Sequence, residues 1–444
     1  MTQTPPIQPP LPRTTRPRVL ILAEAANPEW VSVPLVGWSI ARALAQVADV
    51  HVVTQIRNRE AFLRAGLVED TDFTAIDSEA IARPMYHLGR KLAGDDRVGW
   101  TIQQAAQAVG YPYFEYLVWK TFGPRIRRKE FDIVHRVTPL SPVQQSPIAA
   151  RVQRAGVPFV LGPINGGVPW PKGFESEMRR EREWLSRLRA AYRLLPGRSG
   201  TLKADALLVG SRDTMRDIPA RHQGRMIYMP ENAIDPARFW RQADHSAFLA
   251  GGTLRACFIG RLVPYKGADM LIEAASPLLA ASQMEIDIIG DGPMMDSLKA
   301  QAAPFGSAVR LHGWQKHEEV QDIAARSNIL AFPSIREFGG GVVLEAMALG
   351  LCPVVVNYAG PGELVTNDTG LRVPIGPREA VIAGFQDALT RCLDDREAVA
   401  AMGNAARERV DRLFTWQRKA EQIMAVYDWI LGRRKIKPEF FGKS

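Results

Sequence analysis

Cysteine is scarce in this chain. The three that occur, Cys257, Cys352 and Cys392, are far apart in 444 residues and fit no metal-binding spacing. They read as small buried hydrophobes in a reducing compartment. No apolar run approaches the roughly 18 residues that a membrane-spanning helix needs, and the opening MTQTPPIQPPLPRTTRP has no apolar core of the kind a secretory signal carries. The chain is therefore expected in the cytoplasm. Neither half contains the G-x-G-x-x-G turn that a dinucleotide oxidoreductase requires after a strand. Zinc-finger spacing, a recognition helix and an aromatic RNA-binding signature are missing as well, which argues against nucleic acid. The one Asp-x-Asp, Asp70 and Asp72 in DTD, lies in a polar stretch that reads as a surface turn rather than a metal clamp.

What is present is ordinary in bulk: 46% hydrophobic and 23% charged residues, as in a soluble globular protein. At 444 residues the chain exceeds what one core usually supports, so two domains are the expectation. A net charge of +9 admits an anionic substrate, an anionic membrane or nucleic acid, and charge alone does not choose among them.

Short aliphatic runs alternate with helical periodicity along the chain. RVLILAE (18–24), DVHVVTQ (49–55), DIVHRV (132–137) and VPFVLGP (157–163) read as buried strands. The theme restarts with RACFIGR (255–261), EIDIIGDG (285–292), AVRLHGW (308–314), SNILAFPS (327–334) and LCPVVVN (351–357). Buried strands separated by helices imply doubly wound parallel sheets, one in each half. The division expected is a disordered proline-rich tail over 1–17, an N-terminal Rossmann-like domain over 18–228 and a breaker-rich linker, MPENAIDPARFW, over 229–240. A second Rossmann-like domain over 241–414, a C-terminal helix over 415–432 and a basic tail over 433–444 complete it. Two such sheets face to face make a cleft, with ligands at the carboxyl ends of their strands.

The stretch REFGGGVVLEAMALG (336–350) carries the chemistry. Strand, turn and helix follow one another there, so Gly339, Gly340 and Gly341 fall at a helix N-terminus, where unpaired amides and the helix dipole attract an anion and small residues permit close approach. Glu337 precedes the glycines and Glu345 lies inside the helix. A carboxylate beside a phosphate site suits sugar hydroxyls, or positive charge developing at an anomeric carbon. The bland alternative is an acid that favours the helix dipole, together with a solvated glutamate.

The second half resembles the donor domain of the family-4 retaining glycosyltransferases, which have the two-domain GT-B fold. The resemblance rests on EFGGGVVLE (337–345), on GRLVPYKG with Arg261 and Lys266, and on GDGP (290–293), FPS (332–334), EAMALGLCPVVV (345–356), GPGELV (360–365) and TGLRVP (369–374), in that order. It is close over 230–430 and loose before that. It implies that Arg261 and Lys266 grip a diphosphate, that Glu337 supports the reacting sugar, and that Glu345 lies under the ribose of the nucleotide. No cofactor or metal is implied, because the nucleoside-diphosphate sugar is a co-substrate. The C-terminal helix is implied to brace the N-terminal domain.

The N-terminal half is then expected to hold a saccharide or lipid-linked acceptor. Where the family has a glycine-rich turn after the first strand, NPEWVSVPLVGWS offers Gly37 alone. Where the family often has a histidine near the reacting sugar, this chain reads GPINGGVPW; Asn165 and Gly166 stand there, either to meet a ligand hydroxyl or simply to form a tight turn. His135 ends a strand and is a further candidate, though a lone strand-end histidine is commonly structural. Residues 175–195 form a basic amphipathic pattern with Trp184, Leu188 and Tyr192 on one face and arginines around it. That pattern suits an anionic membrane surface, whereas its interleaved glutamates suit a helix packed on the sheet. The function implied is transfer of a sugar from a nucleotide donor in cell-surface polysaccharide or glycolipid synthesis. The alternative is a non-catalytic nucleotide-sugar or glycan-binding protein that kept the fold.

Overall fold

The computed structural model describes residues 16–80, 100–166, 168–175, 178 and 202–442, and the side chains of the helix Trp100–Arg127 from residue 110 onward. Most of the arginine-rich segment 175–195 and residues 1–15 of the tail lie outside the described residues.

Two parallel sheets organise the molecule. The first contains β1 (Arg18–Ala23), β2 (Asp49–Gln55), β3 (Phe73–Ile76), β4 (Ile133–Thr138), β5 (Phe159–Ile164), β6 (Ala206–Val209) and β7 (Met226–Tyr228), in the spatial order β3-β2-β1-β4-β5-β6-β7. The second contains β8 (Leu254–Ile259), β9 (Met284–Ile289), β10 (Val309–Gly313), β11 (Ile329–Phe332), β12 (Cys352–Asn357) and β13 (Leu371–Pro374), in the order β10-β9-β8-β11-β12-β13. In each sheet the order reverses beside the first strand, the doubly wound pattern that leaves a crevice at the strand ends. Strands β4, β5 and β11 are buried along their whole length, as their unbroken apolar runs require.

The chain crosses between the halves more than once. Ile234 in the linker pairs with Thr415 at the start of the last helix: its N–H donates to the Phe414 carbonyl, and its carbonyl accepts from the Trp416 N–H. Thr415 caps that helix, Trp416–Ile430, by accepting from the Arg418 N–H. The helix buries Ala420, Ile423, Val426 and Tyr427 in the core of the first sheet. Beyond it, Phe440 packs on the core of the first sheet, while Phe441 packs on that of the second and stacks on Phe414.

One crossing departs from the boundary at 228. The segment after β5 leaves the first sheet, and Phe174, 1% exposed, is buried in the core of the second. On the way, Trp170 meets the Tyr265 ring edge-on, and the Pro169 carbonyl accepts from the Tyr358 hydroxyl at 2.7 Å. Residues 168–174 therefore form a strap across the cleft. Burying one aromatic ring outweighs the continuity of the sequence domain here.

Candidate active site

The glycine-rich loop follows β11 and opens the helix Gly341–Ala348. It is fastened to the turn after β8: the Ile335 N–H donates to the Tyr265 carbonyl at 3.0 Å, within the short turn Pro264–Lys266. This contact brings two distant motifs together. Lys266 forms an ion pair with Glu337, both side chains partly buried, and the Lys266 ammonium also lies 5.1 Å from the centre of the Phe332 ring. Arg261, between β8 and that turn, is exposed, and its side chain makes no hydrogen bond or ion pair among the described residues. Glu345 is partly buried, and its carboxyl likewise has no hydrogen-bond partner among them; burial pushes that carboxyl up to about 7, against the opposing charge of Arg238. An acceptor group held without a partner at low solvent exposure is suited to a ligand's hydroxyls.

Each of the three glycines has its own reason. Gly340 adopts φ 59°, the left-handed conformation that turns the loop into the helix. At Gly339 a Cβ would lie 2.0 Å from the Oε1 atom of Glu231, so this glycine accommodates the linker rather than leaving room for a phosphate. Gly341, the first residue of the helix, would meet nothing nearer than Asn232 at 3.5 Å, which leaves it the most open of the three.

Three candidates in the N-terminal half are not displayed to the cleft. His135 is fully buried, with Nε2 2.6 Å from the Gly162 carbonyl and Nδ1 2.7 Å from the Tyr427 hydroxyl. That pairing makes Nε2 the donor and Tyr427 the donor to Nδ1, and burial pushes the imidazole down to about 4. It anchors the C-terminal helix instead of touching a sugar. Asn165 is 6% exposed, and its amide is spent on the protein, donating to Glu231 at 2.9 Å and to the Phe338 carbonyl at 3.2 Å; its neighbour Gly166 turns with φ 136° and donates its N–H to Asn165 Oδ1. Gly37 is buried inside the helix Val33–Leu44, where a Cβ would lie 2.3 Å from the Ala25 carbonyl, so its role is helix-to-loop packing.

Asp70 and Asp72 occupy a surface turn in which Asp72 accepts from the Val68 N–H. Among the described residues no group of three His, Cys, Asp or Glu side chains could hold a metal ion, and no helix is long and apolar enough to cross a membrane.

The model of the glycosyl transferases group 1 family matches residues 242–409, the stretch that holds both motifs. Over these residues the chain is similar to the group 1 glycosyltransferases. Among curated relatives, a GDP-mannose-dependent monoacylated alpha-(1-6)-phosphatidylinositol monomannoside mannosyltransferase from Corynebacterium glutamicum is 31% identical over 172 residues, covering 37% of this chain and 44% of that protein. A glycogen synthase from Mycobacterium tuberculosis is 35% identical over 206 residues, covering 45% and 48%. The chain thus spans about half the length of the curated relatives it matches.

Solved structures extend the likeness to the whole chain, at the level of fold. A glycosyltransferase from Rickettsia africae superposes with a TM-score of 0.61 at 13% identity, over 95% of this chain and 100% of its own. Anabaena HepE in complex with UDP and glucose gives 0.54 at 18%, over 92% and 98%. The fold is GT-B, two doubly wound Rossmann-like domains facing a cleft.

The linker residue Glu231 was not legible as part of the site. It occurs in a stretch read as breakers and turn formers, and its only signal was a charged residue beside Asn232.

Proposed function

We propose that this protein is a retaining glycosyltransferase that moves a hexose from a nucleoside-diphosphate sugar to a saccharide or lipid-linked acceptor. The observation that carries this reading is the meeting of Lys266 and Glu337 beside the N-terminus of the helix that bears Glu345. Cation, carboxylate and helix amides stand together there, as a leaving diphosphate and an electron-poor sugar require.

In the reaction, the bond from the anomeric carbon to the phosphate oxygen breaks with its electrons leaving on the diphosphate. The acceptor oxygen bonds to the anomeric carbon on the same face. Its proton passes to the departing phosphate oxygen, so the diphosphate serves as the base. Arg261, as a planar fork, and Lys266, as a point charge, stabilise the growing negative charge more than they stabilise the ground state. This cation set, together with the amides of Gly340 and Gly341, carries the neutralisation, with no cofactor assigned. A diphosphate held by Lys266 competes with Glu337 for the ammonium, which frees the carboxylate to face the oxocarbenium-like sugar. Glu345 accepts from the ribose diol.

The test is the anomeric configuration of the product, read by nuclear magnetic resonance on the first turnovers with each of a panel of sugar nucleotides. Retention supports the proposal. Inversion, or binding of the nucleotide without transfer to any acceptor, contradicts it and favours an inverting enzyme or a binding protein respectively.

A further inference from the structure

Four segments remote in sequence converge on one buried carboxylate. Glu231, in the linker, is 5% exposed, and each of its oxygens accepts from Asn165 Nδ2 at 2.9 Å. The same amide reaches the Phe338 carbonyl at 3.2 Å. Its orientation is fixed from behind, because Asn165 Oδ1 accepts from the Gly166 N–H at 2.8 Å and the Thr214 hydroxyl at 3.3 Å. On the other side, Lys419 of the C-terminal helix, fully buried, donates to the Pro230 carbonyl and lends Glu231 an opposing charge. The carboxylate also fills the space that a side chain at Gly339 would need.

Burial of this group is costly: it pushes the Glu231 carboxyl up and the Lys419 ammonium down. An apolar residue of similar size would join these segments at lower cost, so the polar arrangement is better explained by what it orients. Its far end is the carbonyl of Phe338, the residue that follows Glu337. A displacement of about 1 Å at a reacting group commonly costs on the order of a hundredfold in rate.

Resting on the glycosyltransferase reading, we infer that Asn165 and Glu231 form a latch that fixes the Phe338 carbonyl, and through it Glu337, making both of them positioning residues for sugar transfer. The latch spans the first domain, the linker and the glycine-rich loop, so it holds only when the two domains stand in the relation described.

Hydrogen exchange on the full-length protein tests the geometry without any need for turnover. Glu231→Gln places a donor amide against the Asn165 amide and is expected to speed exchange severalfold in peptides covering 336–341, with peptides from β8 and β9 unchanged. Asn165→Ala does the same by another route and serves if the first variant does not fold. Kinetically, both variants should lose tenfold or more in kcat, with donor KM within threefold of wild type. Glu231→Gln should add no further loss in a Glu337→Gln background, since it acts through that residue. Unchanged exchange over 336–341 in a folded variant, or losses that multiply with Glu337→Gln, overturns the latch. Absence of turnover in the wild type would defeat the glycosyltransferase reading instead, and the exchange result would still decide the latch.

Discussion

Lys266 and Glu337 neutralise each other across the two turns that follow β8 and β11, with side chains 15% and 20% exposed. A pair buried to this degree contributes little net stability, because desolvation offsets attraction. Its significance is chemical: the two groups that a leaving diphosphate and a reacting sugar would engage are already in contact.

Replacement of the cations follows from this. Lys266→Ala and Arg261→Ala should each lower turnover by roughly a hundredfold, the usual cost of one group that stabilises transition-state charge. Arg261 is exposed, so its variant should melt within a degree or two of wild type by circular dichroism. Normal turnover in either folded variant would remove that residue from the donor site.

Glu345 should give nucleotide binding a pH dependence. Its carboxyl is raised to about 7, so it ionises as the pH passes from 6 to 8, and the carboxylate is the better acceptor for ribose hydroxyls. Affinity for the intact sugar nucleotide should rise up to about tenfold over that interval. The bridging diphosphate does not titrate there. Calorimetry on Glu345→Gln should give a weaker and flatter profile. The same raised value means that Glu345 stabilises the fold most below about pH 4.5, the ordinary carboxyl range, and that this contribution is lost as pH rises through about 7.

His135 titrates with the opposite consequence. Burial holds it near 4, below the ordinary value of 6.5, so the folded state excludes a proton that the unfolded chain accepts between those values. Stability should fall as pH drops through that window, by up to on the order of 3 kcal/mol. In His135→Ala this acid-dependent loss should vanish. The variant should also be less stable at pH 7 by about 1–3 kcal/mol, because the Gly162 carbonyl and the Tyr427 hydroxyl lose their partner. Turnover per folded molecule should stay near wild type. A large drop in turnover with unchanged stability would return His135 to the site.

The strap makes a stability prediction. Phe174→Ala empties a position in the second core and should cost about 3 kcal/mol or more in equilibrium denaturation. A cost under about 0.5 kcal/mol, as for an ordinary surface position, would show that the strap is not anchored.

The sequence revealed strands where apolar runs were long and uninterrupted. The ends of β1, β2, β4 and β5, together with those of β8 to β12, fall within three residues of the expected runs. The short strands β3, β6, β7 and β13, of three or four residues, gave no such run and were missed. The strand-turn-helix around Glu337 and Glu345 could be read because an apolar strand, three glycines and an apolar helical run follow one another without interruption. The N-terminal half was less legible for a physical reason. His135, Asn165 and Gly37 stand at plausible strand ends or helix starts, but whether a polar group faces a ligand or a distant peptide depends on tertiary partners. Tyr427 is 292 residues from His135, and Phe338 is 173 from Asn165. No local pattern encodes such pairings, and the same holds for Phe174 in the far core.

In the proposed reaction Glu337 serves the sugar and the cations serve the phosphates of one donor. The direct measurement is nucleoside diphosphate release with a panel of sugar nucleotides and acceptors, for wild type and Glu337→Gln, beside calorimetric affinity for the same nucleotide. Acceptor-dependent release by the wild type is expected, with a fall of at least a hundredfold in Glu337→Gln and nucleotide affinity nearly unchanged. Loss of nucleotide affinity with turnover retained, or no release with any donor, would contradict these roles.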